Sequence, residues 1–148
     1  MFEDELIRRK TLMLNSPKKT YQPVPAETER FGKLVLDAAY KVHTVLGPGL
    51  LESVYQIAMK HVLTTGGSVA ETEVKLPILF EGVELPSALK IDLLVEKCVI
   101  AELKSVEKMN PVFEAQLLTY LRLSKVRLGF LINFNVPHLK NGIKRIVV

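Results

Sequence analysis

Three ionisable side chains sit inside apolar runs where a buried strand should carry none. They are Asp92, Glu102 and Lys104, in the stretch KIDLLVEKCVIAELKSV at residues 90–106. Their neighbours Ile91, Leu93, Leu94, Ile100, Ala101 and Leu103 suit strands covered on both faces. Burying an ionised group is costly unless it is paired or holds a metal. Two carboxylates set face to face repel, and a cation between them relieves the repulsion. Oxygen donors without His or Cys suit a hard ion, magnesium or manganese. A lysine beside them could hold or deprotonate an attacking water, or offset charge on a phosphate oxygen. The same residues would also be satisfied as a solvent-facing ladder, with Lys90 and Lys104 neutralising the two acids.

Loop length decides which residues meet across this hairpin. A two-residue loop would oppose Asp92 to Ala101, mixing charge and apolar groups on both faces. A three-residue loop, Glu96 to Cys98, pairs Val95 with Val99, Leu93 with Ala101 and Ile91 with Leu103, and sets Asp92 against Glu102. Side chains alternate with period two, so a slip of one residue would scramble both faces. The apolar pattern selects the longer loop.

The elements that must position the hairpin follow from periodicity. Phe31, Leu34, Val35, Ala38, Val42 and Val45 recur at helical spacing from about Glu27, and LGPG at 46–49 stops that helix. A second helix places Leu51, Val54, Tyr55, Ala58 and Val62 on one face and ends at TTGG, 64–67. Strands are expected over 69–79, 83–86, 90–95, 99–106, 127–134 and, near an edge, 142–148. Asn110 and Pro111 open a third helix, running to about Ser124, as N-cap and first helical residue. Residues 1–25 lack clean periodicity and contain SPKK and PVP, so an extended or poorly ordered arm is expected ahead of one domain, 26–148. Helices on either side of a hairpin-rich run predict an α/β domain with a single mixed central sheet.

Composition limits the function. Of 148 residues, 48% are hydrophobic and 24% charged, which suits one folded domain and excludes a disordered chain. The single cysteine, Cys98, excludes an internal disulfide and a cysteine-clustered zinc site. No apolar run approaches the roughly 18 residues of a membrane span, and MFEDELIRRK carries acids where a signal peptide is basic. A cytoplasmic protein without membrane contact is expected. Charge is uneven: no acid follows Glu114, while Arg122, Lys125, Arg127, Lys140, Lys144 and Arg145 do. A basic end suits a phosphate-rich partner or a merely solvated surface.

Asp92, nine residues, then Glu102-x-Lys104 across a hairpin resembles the PD-(D/E)XK nuclease superfamily. GLLESVY, residues 49–55, resembles the GxxExxY motif that names one family within it. His43 stands upstream, where a histidine is common, and QLLTY, Gln116 to Tyr120, resembles its Q-x-x-x-Y element. The likeness extends over roughly residues 29–148. It implies a restriction-endonuclease-like α-β-β-β-α-β core and a Mg²⁺- or Mn²⁺-dependent nuclease acting on nucleic acid, with DNA the expected substrate. Asp92 and Glu102 would bind the metal, with the Leu103 carbonyl as a further ligand, and Lys104 would position the water. Glu52 would complete the acidic cluster, and Gln116 would sit beside the site with Tyr120 a turn further on. Ile91 stands where the superfamily loosely keeps a proline that binds nothing. Bland alternatives remain: Glu52 also suits a helix first turn for its dipole, and Tyr55 suits a core position with a polar tip. The rival functions are a catalytically silent nucleic-acid- or protein-binding module on the same fold, and an assembly subunit. A homo-oligomer is left open.

Overall fold

The computed structural model describes residues 2–14, 22–86 and 89–148. The SPKK segment lies outside the described residues. Where an extended arm was expected, Phe2–Leu14 form helix α1. Its sequence has no internal Gly or Pro, and Glu3, Asp4 and Glu5 occupy the first turn, where the helix dipole favours acids. Phe2, Leu6 and Ile7 are exposed.

Two further helices precede the sheet, α2 (Ala26–Leu46) and α3 (Glu52–Thr65). The buried stripe of α2 is Val35, Ala38, Ala39 and Val42, and that of α3 is Tyr55, Met59 and Leu63. Val45, Leu51 and Val54, assigned inward from spacing alone, are exposed. They lie beside the turn between the helices, where the chain leaves the core.

The five-stranded sheet has the order β1-β4-β5-β6-β7, with β1 Ala70–Lys75, β4 Lys90–Val95, β5 Val99–Lys104, β6 Leu128–Asn133 and β7 Ile143–Val147. The predicted strand over 69–79 is split at Leu76-Pro77. Its second half becomes β2 (Ile78–Phe80), which pairs with β3 (Val83–Leu85) in a separate hairpin. Proline has no N–H for a ladder, so the sheet releases the chain there. β5 and β6 are parallel, joined by α4 (Pro111–Ser124), and the other pairs are antiparallel. This is a mixed sheet flanked by helices, the restriction-endonuclease-like α/β arrangement.

Alternation along the strands feeds two cores on opposite faces. Leu93, Val95, Val99, Ala101 and Leu103 pack with α2 and α3, whereas Leu94, Ile100 and Leu131 pack with Leu117, Tyr120 and Leu121 of α4. Gly129 on β6 lets α4 approach closely. A Cβ there would lie 3.0–3.2 Å from the methyl groups of Leu117 and Leu121.

Candidate active site

The hairpin has the expected three-residue connection, with Val95 opposite Val99, Leu94 opposite Ile100 and Leu93 opposite Ala101. Glu96 and Lys97 take φ values of 50° and 57°, and the Cys98 N–H closes the turn on the Val95 carbonyl at 3.0 Å. The ladder then stops one residue short of the acids. The Asp92 N–H donates to Glu102 Oε1 at 3.2 Å, and the Leu103 N–H donates to Asp92 Oδ2 at 2.9 Å. Carboxylates thus replace main-chain partners and the two strands fork. Ile91 consequently leaves the face of Leu93 and joins the α4-side core, correcting the expected Ile91–Leu103 pairing.

The fork is electrostatically uncomfortable. Glu102 is 3% exposed and its carboxyl is pushed up to about 9, first by burial and then by the charge of Asp92. Burial also raises Asp92, against the stabilising Leu103 N–H and the Lys104 charge. The two side chains hydrogen-bond each other, which raises Glu102 further and opposes the rise of Asp92.

Glu52 faces Asp92 across a cavity on the α3 side, and does not join the two acids in a three-carboxylate group among the described residues. It begins its helix after Gly47 and Gly49, whose φ values of 69° and 93° allow the sharp turn. Tyr55 fixes that turn: its hydroxyl donates to the Gly47 carbonyl at 2.6 Å and accepts the Leu50 N–H at 3.2 Å. Its ring, wholly buried, stacks on Phe134 at 4.3 Å between centroids. Ser105 Oγ ties the end of β5 to the Leu50 carbonyl at 2.5 Å. Glu52, Gln56, Glu73, Asp92 and Ser105 line a cavity of about 500 Å³, and the charge of Glu52 contributes to raising Asp92. Tyr55→Phe should keep the ring stack but cost about 1–2 kcal/mol in urea unfolding, because two hydrogen bonds to the turn are lost.

The opposite side of the fork belongs to α4. The Asn110 side chain accepts the Val112 N–H at 2.9 Å and Pro111 follows, as the sequence predicts for this helix start. Lys104 Nζ lies 4.4 Å from the centre of the Phe113 ring, within electrostatic reach of both acids. Gln116 hydrogen-bonds the Tyr120 hydroxyl, which burial and the Glu102 and Asp92 charges raise. Asp92, Glu102 and Lys104 are thus together, with Gln116 and Tyr120 on their α4 side and Glu52 entering from the α3 side.

A family model for the PD-(D/E)XK nuclease superfamily matches residues 29–146. The chain belongs to this superfamily. No curated protein and no solved structure matches it.

Nucleases of the PD-(D/E)XK superfamily generally use divalent metal ions, and the residues at the fork suit one. Two desolvated carboxyl groups in contact disfavour full ionisation, and a cation between them would relieve this. Among the described residues no three His, Cys, Asp or Glu side chains form a metal-holding group. Magnesium is commonly held by one or two carboxylates, with water and phosphate completing its shell, so a two-acid site is chemically apt.

Within this PD-(D/E)XK domain the sequence analysis missed Gln56, Glu73 and Asn133. The Gln56 amide donates to the Asp92 carbonyl and to Glu73. Asn133, 3% exposed, lies beside Lys104 in the parallel register and bonds both the N–H and the carbonyl of Val106. Gln56 follows Glu52 by one helical turn, a signal that was available. His43 lies elsewhere: its Nε2–H donates to the Val136 carbonyl at 2.8 Å, beside Phe134.

Proposed function

We propose that this domain is a Mg²⁺- or Mn²⁺-dependent nuclease hydrolysing phosphodiester bonds, with DNA as substrate. The buried, interlocked Asp92–Glu102 pair with Lys104 beside it carries this reading. A structural hairpin gains nothing from two desolvated acids, whereas a cation site requires them. Asp92 and Glu102 would hold the ion, with Glu52 across the cavity and the Leu103 carbonyl as a further donor. Once bound, the ion supplies Lewis-acid stabilisation of a phosphate oxygen and a more acidic water.

The chain's own groups do the rest. Lys104, kept over the Phe113 ring, presents its ammonium to the charge that grows on the phosphate oxygens, or to the attacking water. Gln116 and Tyr120 order the α4 side of the fork. Conformity to the GxxExxY family would assign its tyrosine to the turn that presents Glu52.

Substrate attraction must use cations free of internal partners. Lys144 pairs with Glu114 at 2.5 Å, Arg145 with Glu29 through two hydrogen bonds, and Arg127 binds the main-chain carbonyls of Val148, Pro23 and Gln22. Of the six C-terminal basic residues, this leaves Arg122, Lys125 and Lys140 without an internal ion pair among the described residues. Two to three phosphate contacts from this region give a log–log salt slope of about −1.8 to −2.7 for duplex DNA, measured by anisotropy in calcium.

The deciding experiment is cleavage of single-stranded, double-stranded and branched DNA, and of RNA, with Mg²⁺, Mn²⁺ or EDTA. Cleavage with either ion and none in EDTA is expected. Binding without cleavage under every condition would leave the silent module instead.

A further inference from the structure

We propose that Gln56 is a positioning residue that fixes Asp92 by holding its main chain, an inference that rests on the nuclease function proposed above. The β1–β4 register passes from Thr72 opposite Leu93 to Val74 opposite Ile91, and omits Glu73 and Asp92 between them. At this rung Glu73 takes a φ of 54°, a strained value for a residue with a side chain. On its other edge Asp92 gives its N–H to the Glu102 carboxyl instead of to a ladder carbonyl. The strand that carries the acid is therefore loosest at the acid itself.

Gln56 bridges this rung. Its Nε2 donates to the Asp92 carbonyl at 2.9 Å and to Glu73 Oε1 at 3.0 Å. One nitrogen with two hydrogens matches two acceptors on adjacent strands. The amide is also neutral. A lysine or arginine here would place a fixed charge beside Asp92 and compete with a cation, and a glutamate would oppose both acceptors. The support is rigid, because the preceding residue is Tyr55, buried against Phe134 and tied to the turn before α3. The geometry thus links the motif turn to the acid: Tyr55 fixes the helix start, and Gln56 transfers that position to Asp92. Gln56 itself touches no reacting atom.

The test compares wild type with Gln56→Met, which keeps length and bulk but has no donor, and with Gln56→Asn, whose amide is one methylene too short. Mn²⁺ alone is titrated by calorimetry, and amide exchange at Leu103, whose N–H rests on the Asp92 carboxylate, is followed without metal. Kinetics of DNA cleavage and the melting temperature complete the set. Both variants should bind Mn²⁺ about 10–100-fold more weakly and lose a similar factor in kcat, with KM for DNA little changed. Leu103 exchange should quicken at least about tenfold, while amides deeper in β5 keep wild-type protection. Mn²⁺ affinity and Leu103 exchange within about twofold of wild type would overturn the assignment. So would failure to fold, or faster exchange across the whole sheet, since both mean a general packing role. If wild type binds Mn²⁺ but cuts nothing, the nuclease function falls while the Gln56 comparison still decides this inference. If wild type binds no Mn²⁺, the Leu103 exchange decides it alone.

Discussion

Asp92→Asn should lower kcat at least about a thousandfold while leaving the protein folded, an effect of roughly 4 kcal/mol or more on the barrier. The asparagine side-chain oxygen can still accept the Leu103 N–H that Asp92 Oδ2 accepts at 2.9 Å, so the fork keeps this hydrogen bond. What disappears is the negative charge, and with it one of two carboxylates available to a cation. Calorimetry should show Mn²⁺ binding lost in parallel, with a melting temperature equal to or above wild type because the desolvated charge of Asp92 is removed. Cleavage that persists in Asp92→Asn and in EDTA would sink the metal-dependent mechanism.

Glu102→Gln should stabilise the metal-free protein at alkaline pH, by about 1–4 kcal/mol at pH 8. In the folded chain this carboxyl is raised from its ordinary 4.5 to about 9, first by burial and then by Asp92. A folded state that prefers the protonated acid has its full stability below pH 4.5 and loses it as pH rises toward 9. Between these limits the slope approaches about 1.4 kcal/mol per pH unit. The amide cannot ionise, so the variant lacks that slope. Urea unfolding in EDTA at pH 5, 6.5 and 8 should show the gap between the two proteins widening with pH. Saturating Mg²⁺ should narrow it, because the ion stabilises the ionised pair of the wild type. A gap that stays constant across the range would show that Glu102 is already charged.

The sheet and the hairpin register were legible because 93–95 and 99–101 are unbroken apolar runs flanked by charge, and only a three-residue loop sets Asp92 and Glu102 on one side. The start of α4 was legible because Asn110-Pro111 is a local signal whose meaning depends on little else. The departures occur where side chains compete with main chain. The fork at Asp92 arises because two acids accept N–H groups that strands would otherwise use, which no alternation pattern encodes. Ile91 changes face for the same reason. The left-handed Glu73 is held by contacts from α3 and Lys90, both remote in sequence. Leu51 and Val54 fit the helical period yet face outward, because the turn held by Tyr55 carries that end of α3 away from the core. The basic C-terminal residues are clear in sequence, but their engagement with Glu29, Glu114 and the Val148 carbonyl depends on the folded chain.

The loop that closes the hairpin also places the sole thiol of the chain at a known spacing from the acids. Cys98 is half-buried at the far end of β5 from Lys104. It is four residues from Glu102, about 13 Å at roughly 3.3 Å per residue. A nitroxide attached there would form a built-in spectroscopic ruler, its signal broadened strongly by a paramagnetic ion at the fork and more weakly by one bound farther away. Burial raises the Cys98 thiol, so labelling belongs at mildly alkaline pH, where enough thiolate forms. Occupancy of the fork could then be followed in the unmutated protein, during turnover, without altering any residue that faces the substrate.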